Sequence, residues 1–179
     1  MTRRVLPRAL ALALALPLAL GACSGDDGAG SESANGTQVE SGDQDRSLGR
    51  VDASAEDRHP NGAHLRVSSV ELRERSVAVD VSLVNGHTQE IRLNGRGLWL
   101  VDEQGNAYAF DEPQQNANLT VGSGEELTGT LVFLGSVADD AGSLTLKTNR
   151  HNPEDNIDTS SRGRNDTNPE FLLEGLQLP

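Results

Sequence analysis

Thiols, lysines and aromatic rings are nearly missing from this chain. Its only cysteine is Cys23, so it can form neither an internal disulfide nor a Cys-ligated metal centre. The fold has to stand on packing. Lys147 is the only lysine, and every other basic residue is arginine, a bias that reads as a high-GC genome. Positive charge is scarce overall: 15 Lys and Arg face 27 Asp and Glu, a formal charge of −12. A surface this acidic repels nucleic acid and anionic lipid, which argues against both as direct partners. No apolar run reaches the roughly 20 residues that a membrane-crossing helix needs. Also missing are the Gly-x-Ser-x-Gly elbow, the phosphate-binding loop and His-Glu-x-x-His.

What is present begins with a secretory pattern. Arg3, Arg4 and Arg8 precede an apolar stretch from Ala9 to Leu20, broken only by Pro17 and followed by Gly21, Ala22 and Cys23. Charged, then apolar, then small is the order of a signal peptide. Leu20-Gly21-Ala22-Cys23 resembles the lipobox of bacterial lipoproteins, although that motif more often has alanine or serine where Gly21 stands. The resemblance implies cleavage between Ala22 and Cys23, a diacylglyceryl group on the Cys23 thiol, and a new N-terminus open to acylation. Two acyl chains hold a protein to a membrane where one holds it marginally. Cell-membrane attachment on the extracytoplasmic side is the expected location. Removing the three arginines with the signal peptide takes the formal charge from −12 to −15.

Residues 23–61 read as a linker. They are rich in Gly, Ser, Asp, Glu and Ala, and Val39 and Leu48 are the large aliphatics that stand out. Such a composition buries too little apolar surface to offset the entropy of ordering. An acidic Gly-rich coil of this length spans roughly 30–40 Å.

Residues 62–179 form the expected domain. Leu65 and Val67, then Val70 and Leu72, carry apolar positions whose phase slips by one residue, which predicts a bulge in one bent strand. Arg73-Glu74-Arg75 is a charged turn. Val77, Val79, Val81 and Leu83 alternate with Asp80 and Ser82, the clearest strand in the chain. Asn85-Gly86 is a turn dipeptide tolerant of positive φ, and Ile91 and Leu93 predict a short strand closed by Asn94-Gly95. The stretches 98–101 and 107–110 flank a hairpin loop that needs Gly105 in a left-handed conformation. Trp99, the sole tryptophan, is expected to plug the core. Leu127, Gly129, Leu131 and Phe133 share a face, with Gly129 marking a bulge or close packing under a large neighbour such as Trp99. Leu144 with Leu146, and residues 171–178, complete about eight short strands without a helical period. That predicts an all-β, antiparallel sandwich.

From Gly62 to Leu146 the chain resembles the immunoglobulin-like domain of unknown function found in secreted lipoproteins of Gram-positive bacteria. The strand ending at Asn85, the Asp102-to-Tyr108 hairpin and the Gly124-Glu125 step into a strand ending at Phe133 carry the likeness. It implies an immunoglobulin-like β-sandwich of about seven or eight strands. No agreed catalytic residues come with it.

Between Leu146 and Phe171 the segment 149–170 is polar, with Ile157 its only large aliphatic. Loops of this length without secondary structure tend to be functional or disordered. Its oxygen-rich side chains make Asp155, Asp158 and Asp166 candidates for calcium, but EF-hand spacing is lacking, and a solvated loop is preferred. His59, His64, His87 and His151 are scattered, whereas a zinc site needs three or four converging ligands. Glu125-Glu126 and Asp139-Asp140 are adjacent pairs, and neighbours on a strand point to opposite faces, so neither can act as a dyad. No cofactor is expected. The reading is a non-enzymatic binding or accessory module whose partner is an unknown protein or glycan of the cell envelope. The alternatives are an envelope spacer, or a metal-binding or hydrolytic domain built on the 149–170 loop.

Overall fold

The computed structural model describes residues 45–179. The signal sequence, Ala22, Cys23 and the linker as far as residue 44 lie outside the described residues. From there the chain forms β1 (Ser47–Asp52), β2 (Glu56–Arg58), β3 (His64–Arg73), β4 (Ser76–Val84), β5 (Ile91–Arg92) and β6 (Trp99–Asp102). β7 (Ala107–Phe110), β8 (Thr120–Val121), β9 (Glu126–Leu134), β10 (Ser143–Lys147) and β11 (Leu172–Gln177) follow. The fold is all-β and antiparallel, with no α-helix among the described residues and one 3-10 turn at Gly95–Gly97.

The sheet starts earlier than composition suggests. β1 and β2 pair with successive parts of β3, so residues 47–58 belong to the domain and not to the linker. Composition misses them because an edge strand is held by main-chain hydrogen bonds and needs few apolar side chains. Val51, Ala53 and Ala55 supply those few, packing half-buried against the core.

Strand order in the large sheet is β1-β3-β4-β9-β7-β6-β10-β11, with β2 also on β3. β5 and β8 form a separate two-stranded ladder. The large sheet is one continuous ladder because β9 is shared. Its whole length pairs with β4, while Phe133 and Leu134 also pair with Phe110 and Ala109 of β7. The far ends of the sheet, β2 and β11, come against each other, so it nearly closes on itself.

Alternation places the core as expected in the clearest strand: Val77, Val79, Val81 and Leu83 are buried. The predicted slip in β3 is present as a register shift between Val67 and Ser69. It turns Ser69 toward Asp80, whose carboxylate accepts hydrogen bonds from Ser69 Oγ (2.9 Å) and Thr130 Oγ1 (2.5 Å) and pairs with Arg50. Gly105 has φ +88° in its hairpin, as the turn requires.

Three local expectations change. Trp99 is half-buried on the outward face of β6, its indole N–H donating to Arg150 O (3.2 Å), because Leu100 takes the inward position. Phe133, Phe171 and Tyr108 fill the core instead. Gly129 has no neighbour over it, since a Cβ there would meet nothing within 4 Å. Gly86 does not adopt positive φ. It is needed for close approach, because a Cβ on it would lie 2.3 Å from Gly62 O.

Asp102 organises the hairpin from inside. Its carboxylate accepts from Gln104 N (3.0 Å), Asn106 N (2.8 Å), Asn106 Nδ2 (2.8 Å) and Tyr108 OH (2.9 Å). Burial works to raise the Asp102 pKa, but these donors together outweigh it and hold the carboxyl below its ordinary range. Burial, then the Asp102 carboxylate, pushes the Tyr108 hydroxyl up from 10.0 to about 12. A raised pKa means the folded state keeps a proton that the unfolded chain has released. This contribution is fully present below pH 10 and is lost as pH rises through about 12. Urea titrations of wild type and Tyr108→Phe should therefore converge in stability across that window, wild type losing more. Parallel decline in both would contradict the assignment.

Candidate functional site

The segment 149–170 has no strand or helix and is mostly exposed, as expected of a solvated loop, but it is tied to the sheet at several points. Its one large aliphatic, Ile157, is 8% exposed and lines a cleft with Val101, Thr145 and Leu172, outward-facing residues of β6, β10 and β11. The lone lysine secures the crossing, Lys147 Nζ donating to Pro153 O (2.8 Å) and Asp155 O (3.2 Å).

Farther along, the segment seals the place where β2 and β11 meet. Arg162 donates to both oxygens of Asp57 on β2, at 2.9 and 2.7 Å, and Leu172 N of β11 donates to the same carboxylate at 2.8 Å. One carboxylate thus joins both sheet edges and the loop. Next to it, Asn61 Nδ2 donates to Asp166 O (2.7 Å). His59 is buried edge-on against Phe171, with its Nε2 3.7 Å from Asp166 Oδ2. Burial, the largest effect, lowers the His59 pKa and favours the neutral ring.

The loop's return is fixed at Asn149, one of the few non-glycine residues with positive φ (55°). Its Nδ2 donates to Arg92 O (3.0 Å) and Pro169 O (2.8 Å), and its Oδ1 accepts from Asn94 N (2.7 Å). Asparagine tolerates this conformation because its side chain bonds locally to the backbone. The 3-10 turn then docks closely: Arg150 N donates to Gly97 O (3.0 Å), and a Cβ at Gly97 would sit 3.0 Å from Arg150 N.

These contacts leave an open depression of about 870 Å³ between the 3-10 turn and the two ends of the loop. Asn94, Arg96, Gly97, Asn149, Arg150, His151, Asp155 and Asn168 line it. A second hollow of about 340 Å³, containing Arg92 and Glu90, adjoins it through Asn168. Asn94 and Asn149 are already engaged in holding the backbone. Arg150 pairs with Glu170 at 2.9 Å, and its Nε is buried without a hydrogen-bond partner among the described residues. The Arg96 guanidinium is exposed and has no ion-pair or hydrogen-bond partner among the described residues.

The candidate calcium residues do not converge. Asp155 accepts from Asn152 N, Asp158 from Ser160 N and Oγ, and Asp166 from Gly163 N, each closing its own turn. Among the described residues, no group of three or more His, Cys, Asp or Glu is placed to hold a metal ion. The histidines have separate surroundings: His59 against Phe171, His64 near Glu56, His87 beside Ser123, and His151 in the depression. Glu125 and Glu126 serve different partners, Gly122 N and Ser82 Oγ. Arg96 was not singled out from sequence, because nothing local marks it. Its setting depends on residues some 50 positions away.

No family model matches this chain, and no curated protein matches it. Among solved structures, the yjhA protein from Bacillus subtilis is similar at 18% identity and a TM-score of 0.45, over 68% of this chain and 96% of that one. A functionally unknown protein from Listeria monocytogenes EGD-e is similar at 9% identity and a TM-score of 0.46, over 74% of this chain and 87% of that one.

Proposed function

We propose that this protein is an extracytoplasmic lipoprotein, anchored by acyl chains on Cys23, that presents a non-catalytic binding domain to the cell envelope. The sheet is read as an immunoglobulin-like sandwich whose two faces are joined through β7 and β9. One observation carries the binding function: a 22-residue polar segment is held in place by dispersed contacts to β2, β5 and β10. Ordering a polar segment of that length opposes considerable chain entropy. Part of the segment closes the sheet edges, and the rest holds donors and acceptors in place, as a binding surface requires.

The anchor is tested by metabolic labelling with a fatty-acid probe. Wild type should take up label and Cys23→Ser should not; equal labelling would refute the anchor. Binding is tested by crosslinking on intact envelopes. A specific partner should be captured by wild type and lost when Gly97→Val pushes the 3-10 turn away from Arg150. Capture unaffected by that change would place binding elsewhere.

A further inference from the structure

We propose that the depression between the 3-10 turn and the 149–170 loop binds an acidic saccharide, with Arg96 as the group that engages its carboxylate. This deepens the binding-module reading and rests on it. The inference starts from charge. The whole chain has a formal charge of −12, and of the three arginines around the two adjoining hollows Arg92 is paired with Glu90 and Arg150 with Glu170. Most other arginines of the domain are likewise neutralised by neighbours, as Arg46 is by Glu74, Arg66 by Glu56 and Arg73 by Glu71. Arg96 is not. An unpaired guanidinium offers a planar fork matched to a carboxylate. Charges of the domain farther than about 8 Å away are screened at physiological salt, and within the lining Asp155 is the one carboxylate.

The remaining side chains narrow the ligand further. No apolar side chain lines the main depression. A peptide would need pockets for its side chains, and a lipid would need far more apolar wall. Asn168 offers a free amide, a donor and acceptor together, and Asp155 has a carboxylate oxygen to accept from a hydroxyl. Paired donors and acceptors suit vicinal hydroxyls. One carboxylate in the lining is too few for a bare cation. The ligand that uses every available group is polyhydroxylated and carries a carboxylate.

The test uses the full chain in detergent and three probes: oligogalacturonate, its fully methyl-esterified form, and a tripeptide with a free C-terminal carboxylate. Isothermal titration gives affinity, and Trp99 emission gives location, since the indole donates to Arg150 O at the edge of the site. Oligogalacturonate should bind saturably, lose affinity roughly tenfold or more in Arg96→Gln, and weaken as salt rises. Asn168→Ala should weaken it by a smaller factor. Arg164→Gln, on the same loop but outside the lining, should leave it unchanged. Absence of saturable binding to oligogalacturonate would overturn the proposal, as would equal binding of the methyl ester. Unchanged affinity in Arg96→Gln would do the same, and binding of the tripeptide alone would point to a peptide carboxylate. If envelope capture still depends on Gly97 while oligogalacturonate fails to bind, the ligand class falls and the binding module stands.

Discussion

Arg162→Ala should lower stability by about 3–5 kcal/mol, the range for removing one partner of a buried ion pair. Arg162 is 4% exposed at its side chain and Asp57 16%. The pair is bidentate, at 2.9 and 2.7 Å. Without Arg162, the Asp57 charge stays in place with only Leu172 N as a donor described here. The loss should also be local in character. Amide exchange should accelerate at Leu172, and at Arg92, whose N–H donates to Thr167 O on the loop, while β4 and β9 keep their protection. Urea unfolding with hydrogen exchange measures both. The double variant Asp57→Asn with Arg162→Met should recover part of the loss, because it leaves no unpaired charge. A change under about 1 kcal/mol would class the pair with exposed salt bridges and remove it as the closure of the sheet.

The second large effect is expected at Asn85, which is completely buried. Its Nδ2 reaches Gln89 O (2.9 Å), Val121 O (3.0 Å) and Gly122 O (3.0 Å), and its Oδ1 accepts from His87 N (2.8 Å). The backbone joins in, Asn85 N donating to Glu125 O and Asn85 O accepting from Gly124 N. This one side chain ties the end of β4 to the loop before β9. Asn85→Ala leaves buried carbonyls and an N–H unpaired, at about 1–3 kcal/mol per unsatisfied group, for a total of about 2–4 kcal/mol after relaxation. Asn85→Asp keeps the shape and the acceptor but turns a donor into negative oxygen facing three carbonyls. It should be the worse variant at neutral pH, and should recover relative to alanine as pH falls and the carboxyl protonates. Denaturation of both variants at two pH values checks this. Equal loss in both at neutral pH would mean that the amide donors contribute little.

These two residues show how unevenly the chain could be read. Asn85 is legible in the sequence as the end of a strand and the first residue of a turn dipeptide. Its burial depends on residues 121 and 122 returning to it, a pairing no local window contains. Asp57 lay within a stretch assigned to the linker, and its partner Arg162 lies far along a loop expected to be solvated. Each had a bland local context. The bulge after Val67 and the left-handed Gly105 were legible because phase and turn geometry are properties of a few successive residues.

Trp99 makes the same distinction from the other side. Its size argued for the core, yet strand parity assigns the inward place to Leu100 and leaves the indole beside Arg150. Size is a preference, whereas alternation along a strand is a geometric requirement.

By itself, then, the sequence determined the all-β class, the position and inward face of the central strands, and the tight turns, because period-two patterning and backbone sterics act over a few residues. Tertiary structure decided the rest: that residues 47–58 join the sheet, that β9 makes one ladder of it, and that the polar segment closes the edges and frames a polar depression with one unpaired arginine. Those outcomes rest on main-chain pairing and on ion pairs between residues up to 105 positions apart. Contacts of that kind leave no periodic trace, because their partners meet only once the chain has folded.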